Sequence, residues 1–264
     1  MEELEREDWK ARTADYRGRL LPYVGPHLER RREGIKHPVH DFMFSYYSFR
    51  PAQLLRWEPG SDTLPSQKRP LVTALRRLLA ATASREGNFG CFGMHEWAMV
   101  YRAEETRHPV PLRLGAAATD VVVESHRLQC SHFDAFRFFT PDAIPRNAHS
   151  PAAGDRPDFE QPGCLHGNMD LYKHAFRLSP LICSDLVADA FELAWDIRIL
   201  DMRAAPYDLT GTTLDPTGEP WTPIRVETPA GKQEYAALQR RFAESAAPIR
   251  RRLIEECDRL LAGR

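Results

Sequence analysis

The 264-residue chain has no apolar run approaching the ~20 residues that a membrane-spanning helix needs. Its opening, MEELEREDWK, is charged and helical in character and lacks the apolar core of a secretory signal, so no membrane association and a cytoplasmic location are expected. Cysteine is scarce. The five, at positions 91, 130, 164, 183 and 257, show no CxxC spacing, which argues against a zinc ribbon or a disulfide framework. They read instead as small apolar residues. Net charge is lacking too: 36 Lys and Arg against 37 Asp and Glu give a formal charge of −1. That balance supplies no overall pull toward nucleic acid or an anionic membrane, although it is compatible with a local basic groove. There is no P-loop, no GxGxxG, no GxSxG and no internal repeat.

Hydrophobic residues make up 42% and aromatics 10%, enough for a substantial core. The pattern predicts one compact, mainly α domain over residues 1–264 with a small antiparallel sheet. A first helix is expected over 2–20. The cluster Arg30, Arg31, Arg32 then reads as the cationic end of a helix stopped at Gly34 rather than as a nucleic-acid patch. HPVHDFMFSYYSFRPAQLLRW predicts a helix from Pro38, dense in aromatics and broken at Pro51. PLVTALRRLLAATAS, with Leu71, Leu75, Leu78 and Leu79 at helical spacing, predicts an amphipathic helix. SDLVADAFELAWDIRILDMRAAPYDL predicts another, with Leu186, Ala190, Leu193, Ile197 and Leu200 inward and Ser184 as its cap. GKQEYAALQRRFAESAAPIRRRLIEECDRLLAG predicts one long helix, or two broken at Pro248. Residues 58–70 and 141–163 are polar or proline-rich connections; the second is long enough for a lid or a substrate wall. PLRLG and PIRVETP read as short strands.

The stretch His126–Pro141, HRLQCSHFDAFRFFTP, concentrates chemistry on an apolar background. Read as a strand within a small sheet around 111–140, it puts Cys130, His132, Asp134, Phe136 and Phe138 on one face and Arg137 on the other. Burying an imidazole, a carboxylate and a guanidinium demands partners, so a polar network or a site is expected there. Three further groups stand out. His37 and His40 lie three apart, as half of a metal site or as hydrogen-bonded residues at a helix start. His95 and Glu96 open a short helix whose N-terminal potential favours a neutral imidazole, so His95 reads as a ligand or base. His166, Asp170 and His174 recur at i, i+4 and i+8, as metal ligands or as a hydrogen-bonded stripe. The acidic row Asp185, Asp189, Glu192 and Asp196 reads as a solvated face, and the ExxH pairing of di-iron bundles is absent.

HPVHDFMFSYYSFRPAQLLRW, FGMHEWAMVYR, SHRLQCSHFDAFRFFTP, QPGCLHGNMDLYKHAFRLSP and DMRAAPYDL occur in this order, and together the chain resembles a group of actinobacterial-type proteins that carry the name 3-methyladenine DNA glycosylase. The resemblance spans most of residues 30–257. It does not extend to helix-hairpin-helix glycosylases, whose hairpin and downstream aspartate are not found here. The connection after Trp57 is shorter than in that group, and His174 stands where an aromatic is usual, which leaves His166 and Asp170 as the firmer members of their row.

The resemblance implies hydrolysis of an N-glycosidic bond in damaged DNA, with no cofactor. Asp134 or Asp170 would then be the base, His132 or His95 its helper, Tyr46, Tyr47, Trp97 and Phe138 the stacking surface, and Arg137 a further substrate contact. The alternative is a metal-dependent oxygenase or hydrolase acting on a small molecule. Its Fe, Zn, Mn or Ni would be drawn from His95, Glu96, His126, His132, His166 and Asp170, with Asp134 also of a suitable ligand type. The near-neutral charge fits this alternative better, since phosphate contacts normally supply most DNA affinity. A non-catalytic binding protein, whose histidines and acids satisfy one another, is the third reading.

Overall fold

The computed structural model describes residues 6–106 and 109–263. Residues 2–5 of the expected first helix lie outside that range. Helix α1 (Arg6–Glu33) is longer than expected and runs through Pro22 and Pro26. Each proline removes one helical N–H. The helix continues because Tyr16, Leu20 and Val24, one turn apart, are buried in the core. It stops at Gly34, whose φ of +71° suits glycine. Ile35 N–H donates to the Arg30 carbonyl (2.9 Å) and Gly34 N–H to that of Arg31 (3.4 Å), a Schellman closure. Arg31 and Arg32 thus sit at a helix end, while Arg30 turns inward to Asp215, 2.8 Å away.

The helix expected from Pro38 is replaced by a turn and two single-turn helices, α2 (Phe42–Ser45) and α3 (Pro51–Leu54). Pro51 opens α3 instead of breaking a longer helix, because its fixed φ and missing N–H cost nothing at a first helical position. Helix α4 (Arg69–Ala83) buries Val72, Leu75, Leu78 and Leu79. Then come α5 (Met94–Ala98), α6 (Ala116–Glu124), α7 (Phe133–Phe136) and α8 (Arg156–Phe159), the last inside the 141–163 excursion. The long helices α9 (Leu165–Leu178), α10 (Ser184–Ala204) and α11 (Pro229–Ala262) complete the body, α11 continuing through Pro248. Ser184 is the first helical residue of α10 and not its cap: its hydroxyl accepts from Glu58 N–H and donates to the Arg56 carbonyl.

The small sheet lies elsewhere than expected. Strands β1 (Thr213–Leu214) and β2 (Glu219–Pro220) pair antiparallel, Thr213 opposite Pro220 and Leu214 opposite Glu219. In the 111–140 region only isolated bridges occur, Leu112 to Tyr207 and Leu128 to Asn147. The segment 116–124 is helical, and PIRVETP forms no strand. Apolar alternation over so few residues does not distinguish a strand from a buried turn of helix.

Helices α9 and α10 pack side by side, and α11 lies against both and along α4. α1 closes on α10, with Tyr23 edge-on to Phe191 and Trp195 and Arg19 bonded to Asp189 and Glu192. One apolar core runs through all of these. A smaller one, including Val39, Val100, Tyr207 and Trp221, holds the β-hairpin. No helix among the described residues is long and apolar enough to cross a membrane.

Candidate functional site

Three helices converge where the core turns polar. α5 carries His95 and Glu96, α9 carries His166, Asp170 and Lys173, and α10 carries Arg198 and Asp201 three residues apart on one face. α5 can approach only because Gly93 precedes it. That residue has φ +69°, and a Cβ there would stand 3.2 Å from Ala204 Cβ.

His95, buried at 3% exposure, places Nε2 2.9 Å from Asp201 Oδ1. The other oxygen of Asp201 accepts from Arg198 at 2.8 Å. Arg198, itself buried, also donates to the Val39 carbonyl and lies over the Phe42 ring, 4.1 Å from its centroid. Burial opposes charge on His95, but the Asp201 carboxylate outweighs it and holds the imidazole well above its usual range. This reverses the neutral form expected from the start of α5: a helix of five residues offers a small potential, whereas Asp201 offers a full charge in contact. Asp201 is likewise held below the usual carboxylate range; burial opposes this, and His95 overcomes it.

His166 stands edge-on to His95, ring centroids 4.3 Å apart. Burial, with His95 adding to it, lowers His166 to about 3, so it is neutral. Its ring nitrogens make no hydrogen bond with any described residue. His95, His166 and Asp201 each present one donor atom, and these atoms lie within 4.8 Å of one another.

A second polar cluster adjoins the first through His132, whose ring is 5.5 Å from that of His166. His132 is extended (φ −102°, ψ 115°), but the chain then turns into α7, so the strand expected over 126–141 is absent and its alternation of faces does not hold. His132 Nε2 lies 3.4 Å from Asp170 and 3.6 Å from Glu160. Asp170 also accepts from Arg156 at 2.8 Å and, weakly, from the Tyr47 hydroxyl at 3.4 Å. Arg156 bonds Glu160 as well. Asp134 accepts from Lys173 at 2.9 Å, with Arg137 at 3.5 Å and Arg156 at 3.8 Å. Burial opposes ionisation of Asp134 and Asp170. Lys173 reverses this for Asp134 and His132 for Asp170, and both carboxyls are held low.

Between the clusters is a chamber of 40 Å³ lined by Phe42, Tyr46, Glu96, Asp134, Phe138, His166 and Arg198. Tyr46 and Asp134 also line an outer mouth of 370 Å³ with Tyr47, Phe49, Arg137, Lys173 and Arg177. On its other side His166 borders a space of 20 Å³ shared with His95, Cys91, Cys130 and Cys164. Burial pushes the Cys130 thiol up, and that of Cys164 to about 12, so neither is a thiolate.

The structure therefore brings together His95, Glu96, His132, His166, Asp134, Asp170, Tyr46, Tyr47, Arg137 and Phe138. It separates two others. Trp97 is fully buried and donates to the Ala204 carbonyl, so it is a core residue and not a stacking surface. His126 closes α6 with Nδ1 2.6 Å from the Val122 carbonyl and lines none of these spaces. His174 is buried and neutral, lowered to about 3 by burial. Asp201, Arg198, Arg156 and Glu160 join the two clusters and are not among the residues that the sequence singles out. The signal for the α10 pair is a charge pair at i, i+3 set among the apolar residues Ile197, Ile199, Leu200 and Met202.

His37 and His40 present donor atoms within 4.8 Å of each other and of Asp215, but three of the four ring nitrogens are engaged and His40 Nδ1 alone is left without a hydrogen bond. His37 Nδ1 accepts from Val39 and His40 N–H, and its Nε2 donates to the Thr213 carbonyl. His40 Nε2 accepts from Asp215 N–H, and its ring stacks on Trp195 at 4.2 Å. They fasten the hairpin to the helices. Compared with protein-family models, with curated proteins and with solved structures, the chain matches none of them.

Proposed function

We propose that the protein is a metal-dependent enzyme acting on a small molecule, with His95, His166 and Asp201 as its metal ligands. One observation carries this reading: two imidazoles and a carboxylate gather their donor atoms within 4.8 Å, and His166 has no hydrogen-bonding role to explain its place there. Ligands bonded at about 2.0–2.2 Å stand roughly 3–4 Å apart, so the spacing suits one ion. Two histidines and one carboxylate with positions left open are a donor set suited to Fe(II), and Zn, Mn and Ni accept it as well. Such an ion, when bound, would polarise water or dioxygen. The rest is done by the chain. Arg198 engages one oxygen of Asp201 and leaves the other toward the histidines. The chamber beside His166 has room for about three waters, and the mouth beyond Tyr46 is of small-molecule size.

The test is titration of chelator-treated protein with Fe(II), Zn(II), Mn(II) and Ni(II) without oxygen. Near one ion per chain is expected for at least one metal. His166→Ala should abolish that binding while changing stability little, because no hydrogen bond is lost. Absence of binding at micromolar metal, or equal binding by His166→Ala, would sink the proposal.

N-glycosidic hydrolysis in damaged DNA is the second reading. The mouth favours it, placing Tyr46, Tyr47 and Phe49 beside the Asp134 carboxylate with Arg137, Lys173 and Arg177 around them. It receives less support than the first, because Asp134 is already neutralised by Lys173 and Arg156 and the inner chamber is too small for a purine. Release of free base from methylated duplex DNA, insensitive to chelator and lost in Asp134→Asn, would favour it over the metalloenzyme.

A further inference from the structure

The groove between α1 and the α2–α3 segment is built differently from the site. It is a cleft of 810 Å³ whose floor is apolar, including Phe44, Phe49 and Leu55. Arg17 and Arg31 rise from α1 on one side and Arg50 from the head of α3 on the other. All three are exposed, and none makes an ion pair or hydrogen bond with any described residue. By contrast, Lys173 and Arg137 in the mouth are answered by Asp134, and Arg56, which also lines this cleft, by Glu58. Among the described residues, no Asp or Glu lines this cleft. Unopposed guanidiniums above an apolar floor produce a focused positive potential, and a planar fork pairs well with phosphate oxygens.

We propose that this cleft binds an elongate organic polyphosphate, a ligand with an aromatic or apolar body and phosphate groups at more than one point. Length argues for this class. Arg17 and Arg31 are about 20 Å apart along α1 at 1.5 Å per residue, so a ligand with one anionic head would answer only one of them. The floor argues against a bare inorganic anion, which would leave Phe44 and Phe49 unused. Boundedness argues against a nucleic-acid strand: past Phe49, which borders both cleft and mouth, Lys173 and Arg137 are already paired with Asp134, and of the described cations lining the mouth Arg177 alone is left open. A size of 810 Å³ suits a dinucleotide-sized molecule.

The probe is NADPH, a fluorescent molecule with a diphosphate and a third phosphate joined to two ring systems. It is titrated into the full chain at low salt, beside adenosine, inorganic diphosphate and a single-stranded DNA 12-mer. Saturable NADPH binding is expected, weakened by added salt, with adenosine and diphosphate each at least about tenfold weaker because each satisfies half of the cleft. In the triple variant Arg17→Glu, Arg31→Glu, Arg50→Glu binding should be lost with the thermal transition nearly unchanged, since these exposed side chains make no ion pair or hydrogen bond with any described residue. Should the triple variant fold poorly, Arg50→Glu alone must still weaken binding. No binding to wild-type protein at millimolar NADPH, unchanged affinity in the variants, or tighter binding by the DNA strand would overturn the proposal.

Discussion

Replacing Asp201 by Asn tests whether one carboxylate supports two buried cations. In the metal-free protein, Asp201 has a fully buried side chain and bonds His95 at 2.9 Å and Arg198 at 2.8 Å. Asparagine keeps the shape and removes the charge. His95 can respond by releasing its proton, but Arg198 cannot, and it is left with Glu96 at 3.9 Å as its remaining ion pair. Removing one partner from a buried pair costs about 3–5 kcal/mol. With a urea slope of about 3 kcal/mol per M, the midpoint should fall by roughly 1 M or more. The double change Asp201→Leu with Arg198→Met removes both charges and should be less destabilised than Asp201→Asn. The difference also depends on pH. Asp201 is depressed, so its contribution is present above the ordinary carboxylate range and lost as acid takes the pH down through its folded value. His95 is raised, so its contribution is complete below about 6.5 and lost as the pH climbs through its folded value. The gap between wild type and Asp201→Asn should therefore be widest between about pH 4 and 6.5. Urea unfolding followed by circular dichroism with chelator present is the assay. A loss under about 1 kcal/mol at pH 5.5 would refute the buried, doubly paired carboxylate.

Three other outcomes follow from the geometry. His37 and His40 accept backbone N–H bonds as neutral rings. Burial lowers both, His40 to about 2, with Arg30 and Arg198 opposing the charge on His40, and Asp215 and Asp41 favouring it on His37. Stability should fall as the pH drops from 7 to 5, because the unfolded histidines bind protons there and the folded ones do not; His40→Gln should flatten that slope, and an unchanged slope would count against the assignment. Thr228 caps α11 by accepting from Gly231 N–H at 3.1 Å, so Thr228→Ala should cost about 1 kcal/mol and Thr228→Ser very little, read from thermal melts. A Cβ on Gly231 would stand 2.0 Å from the Arg225 carbonyl oxygen, so Gly231→Ala should cost about 1–3 kcal/mol, and a neutral result would show that the loop before α11 yields freely.

The long helices were legible because their signal is local. Leu75 and Leu79, or Leu186, Ala190 and Leu193, repeat at helical spacing whatever surrounds them. The short elements were not. In HRLQCSHFDAFRFFTP nearly every other residue is apolar, a pattern equally produced by extended chain turning into one helical turn, and tertiary contacts decide between them. The candidate site was half legible for a related reason. His95, His132, His166 and Asp170 stand out as polar groups in apolar surroundings. Asp201 sits at the start of DMRAAPYDL behind an acidic row on the same helix and so resembles one more surface charge. Most of that row meets other elements, Asp189 and Glu192 bonding Arg19 of α1 and Asp185 accepting from Trp57 after α3, while Asp201 faces the opposite side. Which carboxylate of an acidic helix faces inward depends on a partner, here His95, that arrives from 106 residues away.

The formal charge of −1 argues against a nucleic-acid or membrane protein only if charge is spread evenly, and here it is not. Carboxylates are concentrated where guanidiniums already stand: Asp201 beside Arg198, Asp170 and Glu160 beside Arg156, Glu227 beside Arg113. Each such pair subtracts equally from both totals, so the sum near zero describes the paired interior and conceals Arg17, Arg31 and Arg50. Burial imposes this segregation, because a charge inside must bring its opposite with it while a charge at a cleft rim can wait for one in water. The unpaired arginines, rather than the net charge, are therefore the quantity that bears on what the molecule binds.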